Sequence, residues 1–435
     1  VKPAEAPPAR TKEIIGWAMY DWGNSAFATT ILSAIYSVYF IKTVVPHDPV
    51  KGSFYWNLAN SLSMVLVCGT GPILGAITDY TASKKKFFLF FWLMGVGACA
   101  SLFFVDPGDV GLGFALFVMA NIGFGASVSL NNAFLTELAP PDKMDRISSF
   151  GWAMGYVGGG ICLALNLVLF GVFKDHPDKT FPARIGFALV GLWWFAFSLP
   201  AVFWLKERAT PKARPEGSSL LALGVGDVFR TIRNLRRYKD LFLFLLAFLC
   251  FNQGIETVIS NAAPFGSTVA GMSENEIIVC YLAIQVVAAV GAFLFGRFAE
   301  HAGSKRVIGL SLFIWLGVLA FAFFTSSKGM FWVLGMAVAV VLGGTQALAR
   351  GFFAQLTPPT KSAEFFGFFA IGGRAAAALG SLLFGTVTSM AGHMKWGIIS
   401  LAVFFVAGMI LLTRVNDREG KAAASAETPV PSAVS

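Results

Sequence analysis

A few hydrophilic residues interrupt long apolar runs in this chain, and their spacing is what a chemical reading starts from. Asp21 and Asn24, at i and i+3, lie within a run that begins at Ile14; seven helical residues put Asp21 roughly 10 Å into it. Asn252 and Glu256, at i and i+4, interrupt another run, and Asn57 a third. On a helix both spacings place the pair on one face. A carboxylate on such a face can take a proton from one side of a barrier and release it on the other, with an amide beside it to orient a polar solute. The same groups can also be static hydrogen-bonded ties between helices, and for Asp21 and Glu256 both readings stand. Arg374 falls near the middle of a further run, where a guanidinium needs an anion. That anion is Asp21 or Glu256 as a permanent partner, or the carboxylate or phosphate of a solute held bidentately. Gln346 and Arg350, at i and i+4 near one end of their run, read as a gate or a structural pair.

Other chemistries find little footing. There is no Gly-rich phosphate loop ending in Lys-Ser/Thr, no His-Glu-x-x-His and no Gly-x-Ser-x-Gly, so neither ATP-driven pumping nor hydrolysis is expected. Cys68, Cys99, Cys162, Cys250 and Cys280 are scattered singly with no metal-ligand spacing, and no metal or cofactor is implied. His47, His176, His301 and His393 all fall in connections; if protons move, carboxylates carry them.

The elements that hold these residues follow from composition. Of 435 residues 56% are hydrophobic and 13% charged, about half the charge of a soluble domain. The chain reads as an all-α membrane protein, because an open strand edge in lipid would leave its backbone groups unpaired. A crossing takes about 20 apolar residues, and twelve stretches qualify: 14–41, 54–79, 87–105, 110–135, 147–173, 184–205, 240–265, 276–299, 307–325, 330–355, 365–390 and 396–413. The piece before them shows no cleavable leader pattern. With both termini on one side, that side's connections and tails carry 24 Lys and Arg against 7 opposite, counting Arg184 and Arg297 with the connections they adjoin. The positive-inside bias therefore puts both ends in the cytoplasm, and the net charge of +9 points to the anionic cytoplasmic leaflet rather than to nucleic acid.

The expected organisation is a tail (1–13), a six-helix bundle (14–205), a basic linker (206–239), a second six-helix bundle (240–413) and a disordered tail (414–435). In the linker Val225, Val228, Phe229, Ile232 and Leu235 follow helical spacing, with Arg230, Arg233 and Arg237 on the other face. That is the pattern of an interfacial helix, a solvated basic linker being the alternative. Each half repeats the other. Gly75, Asp79, Ser83, Lys84 and Lys85 recur as Gly296, Glu300, Ser304, Lys305 and Arg306 at an offset of 221. Leu138-Ala-Pro140-Pro141 recurs as Leu356-Thr-Pro358-Pro359 at 218. Such parallel repeats are related by an axis along the membrane normal. Apart from Arg184 at the first position of span 6, spans 3, 6, 9 and 12 contain no charged or amide residue and should face lipid, while the other eight enclose a polar pathway. On span 5, Gly155, Gly158, Gly159 and Gly160 offer a bare strip for a helix of the other half. Trp152 and Tyr156 on the same span either line the pathway or are packing.

These residues carry a resemblance. The doubled loops at Gly75 and Gly296 are similar to the signature that follows the second helix of each half in the major facilitator superfamily. Tyr20-Asp21-Trp22-Gly23-Asn24-Ser25-Ala26-Phe27, the stretch from Ser149 to Gly159, Gly343-Gly344-Thr345-Gln346-Ala347-Leu-Ala-Arg350 and Glu364-Phe365-Phe366-Gly367-Phe368 resemble the branch that contains the vacuolar effluxer of autophagy and its bacterial relatives. The resemblance implies the major facilitator fold, with twelve transmembrane helices in two pseudo-symmetric bundles that rock in alternating access. For fungal members it implies amino-acid export from the vacuole. Where that branch usually shows Tyr-Asn-Asp-Gly followed by Ile-Gln-Thr, this chain reads Phe251-Asn252-Gln253-Gly254-Ile255-Glu256-Thr257, an acid moved nearly one turn along the same face.

The resulting expectation is a permease that works as a monomer and moves a small polar solute. Asn24, Asn57, Asn252, Glu256 and Arg374 bind the solute, and Asp21 and Glu256 couple protons. Asp79, Lys84, Glu300, Lys305, Arg306 and Arg350 gate the cytoplasmic end, plain topogenic charge being the alternative for the loop residues. The compact connections favour a bacterial inner membrane over a vacuolar one. A non-transporting receptor or a lipid scramblase on the same scaffold is the competing class.

Overall fold

The computed structural model describes residues 11–46, 48–212, 219–234, 236–374 and 377–426, without the side chains of 274 and 373–378. His47 and Leu235 are therefore outside the described residues, as is the side chain of Arg374. In chain order the first half contains α1 (Thr11–Val44), α2 (Pro49–Thr81), α3 (Lys84–Phe104), α4 (Val110–Leu138), α5 (Pro141–Val172) and α6 (Phe181–Trp204). The linker holds α7 (Leu220–Arg233). The second half contains α8 (Lys239–Thr268), α9 (Asn275–Ala302), α10 (Ser304–Phe324) and α11 (Lys328–Leu356). Its next crossing is described as α12 (Ser362–Arg374) and α13 (Ala377–Ala391), and α14 (Met394–Thr413) follows. No strand occurs among the described residues. Eleven of the described helices are long and apolar enough to cross a membrane, and the remaining expected span, 365–390, is covered by α12 and α13; most begin a few residues before the point that hydropathy alone marks.

Local chemistry explains several ends. Asp48 caps α2 by accepting from the Lys51 amide, with Pro49 in the first turn, where its missing N–H costs nothing. Ser273 and Glu276 form a capping box on α9. The turn from α2 to α3 places Ala82 at φ +49°, and the repeat-equivalent turn places Gly303 at φ +86°; the second loop has the residue type that this region favours, and the first does not. α1 is α-helical to Ala26 and again over Tyr36–Tyr39, while Phe27–Ala34 and Phe40–Val44 are wide π-helical turns.

α3, α6, α10 and α14 pack mainly on helices of their own half and expose Phe90, Leu93, Leu192, Phe203, Phe313, Val403 and Val406. The halves meet through α5 against α9 and α11, and through α2 and α4 against α12. α13 packs instead on α8 and on the start of α14. The contact across the α2 side is thus confined to the end that carries the linker and the two chain ends, called here the linker end.

Two expectations change. The glycine strip on α5 receives α1 of its own half: a Cβ on Gly155, Gly158 or Gly159 would run into Ser25, Trp22 or Thr29, and only Gly160 faces the other half, at Gln285. Close approach between halves uses other glycines, all at the linker end. A Cβ on Gly75 would overlap the Ala363 carbonyl, and one on Gly367 would lie 2.6 Å from the Gly71 backbone. The tail read as disordered forms α15 (Asp417–Ser425), capped by Asn416 and seated with Gly420 against Leu356. The Asn416 amide donates to Asp240 on α8, a partner that local sequence could not reveal.

Candidate functional site

Arg350 organises the interior. Its guanidinium leaves α11 and enters the first half, where Nη1 donates to Asp21 Oδ2 at 2.8 Å and to Asn132 Oδ1 at 3.0 Å. Nε donates to Ser148 Oγ at 2.9 Å and Nη2 to the Ser148 carbonyl at 2.8 Å. The cation also lies 4.5 Å from the ring centre of Trp17 and 5.5 Å from that of Trp152. Arg350 is 4% exposed and Asp21 7%, so neither ion is solvated and each depends on the other. Position 151 has to be glycine, since a Cβ there would come 2.6 Å from Asp21 Oδ2. α1, α4 and α5 of one half are thereby tied to α11 of the other by one planar cation, geometry a lysine could not reproduce. Asp21 pairs with Arg350, a partner not weighed for it above, and the side chain of Arg374 lies outside the described residues.

One turn further from the linker end lies a layer of polar groups, uncharged except for Glu256. Asn24 is buried, and its Nδ2 has no partner among the described residues. Tyr156 Oη is 3.0 Å from Gln346 Oε1, joining α5 to α11 across the halves. Glu256 is near enough to Tyr156 and Tyr281 for its charge to act on both hydroxyls. Asn252 donates from Nδ2 to the Gly372 carbonyl at 3.2 Å. Both amide atoms of Gln253 are buried without a partner among the described residues, an unusual cost for a group that no solute or water ever meets. Asn57 is exposed and its amide returns to Ser53 of its own helix.

Below Arg350, the linker end is closed by two unequal clusters. On the α2 side, Asp79 accepts from the amides of Ala363 and Glu364 at 3.2 and 2.9 Å. These are first-turn donors of α12, where a carboxylate is favoured by the helix dipole. Lys84 is fully buried, pairs with Glu137, lies 3.6 Å from Asp79 and donates to Ser362 Oγ at 2.9 Å. Glu207 accepts from the Lys84 and Lys85 amides, and burial pushes its carboxyl above the usual glutamate range despite those bonds. On the α9 side, Asp145 accepts from Ser304, which is also within reach of Gln355. Glu300 is paired with Arg146 among the described residues, at 3.8 Å with the arginine largely exposed. Lys305 donates to the carbonyls of Thr413 and Val415, at the end of α14 in its own half. Arg306 is exposed and makes no ion pair among the described residues. The repeated loops are alike in residues and different in wiring.

Sequence reading had singled out Asp21, Asn24, Asp79, Lys84 and Arg350, and the stretch that contains Gly151, but not Ser148, Glu137 or Asp145. Hydropathy flags charges inside apolar runs; a serine or a glycine gives no such signal.

The chain and its helical arrangement have counterparts among known proteins. A family model described as "Vacuole effluxer Atg22 like" matches residues 48–425. The chain belongs to the Atg22-like vacuole effluxer family. The MFS-type transporter YxiO of Bacillus subtilis (strain 168) is 30% identical over 429 residues, covering 97% of this chain and 99% of that protein. Autophagy-related protein 22 of Coccidioides immitis (strain RS) is 26% identical over 420 residues, covering 79% of this chain and 69% of that one. Among solved structures, the human organic anion transporter MFSD10 (TETRAN) superposes with a TM-score of 0.69 at 16% identity, covering 94% and 100% of the two chains. The proton:xylose symporter XylE gives 0.68 at 15%, covering 95% and 97%. The Atg22-like chain is an integral membrane protein with the major facilitator fold, a transporter and not an enzyme.

Proposed function

We propose that this Atg22-like protein is a proton-coupled secondary transporter of amino acids, alternating between states open to either side of a bacterial cytoplasmic membrane, with both termini in the cytoplasm. The observation that carries the reading is the buried Asp21–Arg350 pair, which joins the two halves directly beneath a layer of underused polar groups. Opening the linker end requires Arg350 to leave Asp21, Asn132 and Ser148 together. A proton on Asp21 removes the charge that holds the guanidinium, so protonation and release of the halves become one event. Asn24, Gln346 and Tyr156 supply neutral hydrogen bonds to a zwitterion, and Glu256 faces its ammonium. Arg374 remains the anchor for its carboxylate in this reading. The Asp79 and Lys84 cluster acts as the cytoplasmic latch, with Glu300 a weaker second.

The test is uptake of labelled amino acids into proteoliposomes with and without an imposed pH gradient. Gradient-stimulated uptake of at least one amino acid, lost in Asp21→Asn protein that still elutes as a folded monomer, supports the proposal. Gradient-independent flux, or flux unchanged by Asp21→Asn, removes the proton coupling. If no amino acid moves and none raises the melting temperature of the purified protein, the solute class is wrong.

A further inference from the structure

Linker helix α7 is built inside out. Its small and polar residues face the protein: Gly224 lies against α2, where a Cβ would come 2.6 Å from Ile77 and 3.0 Å from the Ile73 carbonyl, and Asp227 and Thr231 are buried. Its large apolar residues face away, with Leu221 63%, Phe229 68% and Ile232 43% exposed. A helix docked on a protein in water presents the opposite pattern, so the outer face of α7 calls for an apolar medium. Arg230 and Arg233 are exposed beside Phe229 and Ile232, which makes that medium the headgroup boundary of an anionic leaflet rather than another protein's neutral surface.

α7 is also joined to both halves. Through Gly224 it sits on α2; through Thr231 it reaches the start of α12, where Lys361 Nζ donates to Thr231 Oγ1 at 2.7 Å. Lys361 is 3.4 Å from Glu364 Oε2, and the Glu364 amide is one of the two donors to Asp79. A continuous set of contacts therefore runs from the lipid-facing helix to the α2-side closure.

We infer that α7 is a membrane-engaged strut: when Leu221, Phe229 and Ile232 insert into an anionic leaflet, Thr231 and Lys361 hold the linker end shut, so leaflet charge sets the balance between the two states. This rests on the reading of the linker end as a gate. Partition holds α7 at a fixed depth and angle, and only in that position can Thr231 serve α12 while Gly224 serves α2. A leaflet without charge leaves Arg233 unattracted and Arg230 to its intrahelical pair with Asp227, at 2.7 Å, and the strut then detaches more readily.

The experiment uses full-length protein carrying spin labels at Lys86→Cys and Arg306→Cys, exposed positions on opposite halves at this end, in a background lacking the native cysteines. Distance distributions are compared in nanodiscs of phosphatidylcholine alone and with phosphatidylglycerol added. The closed-to-open ratio should rise about fivefold or more with the anionic lipid, as engagement of one or two arginines implies. The rise should vanish in Arg230→Gln/Arg233→Gln and in Phe229→Ser/Ile232→Ser protein. Thr231→Val should also lose it while a fluorophore at residue 221 is still quenched by brominated lipid, which separates lost coupling from a lost fold. A wild-type distribution indifferent to lipid charge, or a response that survives in these variants, overturns the strut. Amino-acid flux in the same lipids is read separately, so a failed strut leaves the transport reading standing and a failed transport reading shows as absent flux.

Discussion

At the scale of single residues, the Asp21–Arg350 pair is a costly one to bury and is directly open to test. Removing one partner from a buried pair typically costs about 3–5 kcal/mol because the other charge is stranded. Asp21→Asn should therefore lower the melting temperature, and Asp21→Asn/Arg350→Gln should recover part of the loss; thermal unfolding in detergent reads both. Arg350→Lys keeps the charge but not the four directed hydrogen bonds, so transport should fall as far as with Gln. Ala82, held at φ +49°, predicts the reverse effect: Ala82→Gly should stabilise the protein by about 1 kcal/mol. Asp21 was legible in the sequence because an acid in an apolar run has few ordinary explanations. Its partner was not, since Arg350 and Arg374 were both available and nothing local sets how the two halves face each other.

At the scale of elements, closure depends on how near α2 and α12 can come. Gly75 lies where any side chain would meet the Ala363 carbonyl. Gly75→Val should hold the linker end open, seen as increased labelling of a cysteine at Ser362, which is fully buried in the wild type. The apolar crossings were readable because length and hydropathy are properties of a segment alone. α15 was missed for the opposite reason: a polar helix of nine residues is marginal by itself and exists through Leu356, Phe352 and Asp240. Truncation after Val415 should cost stability without preventing membrane insertion, as measured by melting of the purified protein.

At the scale of the whole molecule, repetition in the sequence showed that there are two halves, and the structure shows that they are not used equally. The copy at Asp79 and Lys84 is dry and bound to helix-end amides; the copy at Glu300 is half in water, and Lys305 serves its own half. Exposed pairs contribute little, about 0–1 kcal/mol. Lys84→Met should therefore change the open fraction at the linker end far more than Glu300→Gln, read by spin-label distances, although the two positions are equivalent in the repeat. Equivalence in sequence fixes where a loop lies and leaves open what will face it, because the opposing residues, Ala363 and Glu364 in one case and Arg146 in the other, differ in kind.

The wide turns of α1 have a mechanical consequence. A π turn holds one more residue than an α turn, and passing that surplus along the rod rotates everything beyond it by about 100°. Ser33, whose hydroxyl donates to the Ala28 carbonyl at 2.9 Å, and Tyr36, wedged among Phe117, Phe187 and Trp56, lie within or past the first such turn. The outer portion of α1 can therefore swivel while the portion bearing Asp21 keeps its station, a universal joint set inside a single rod.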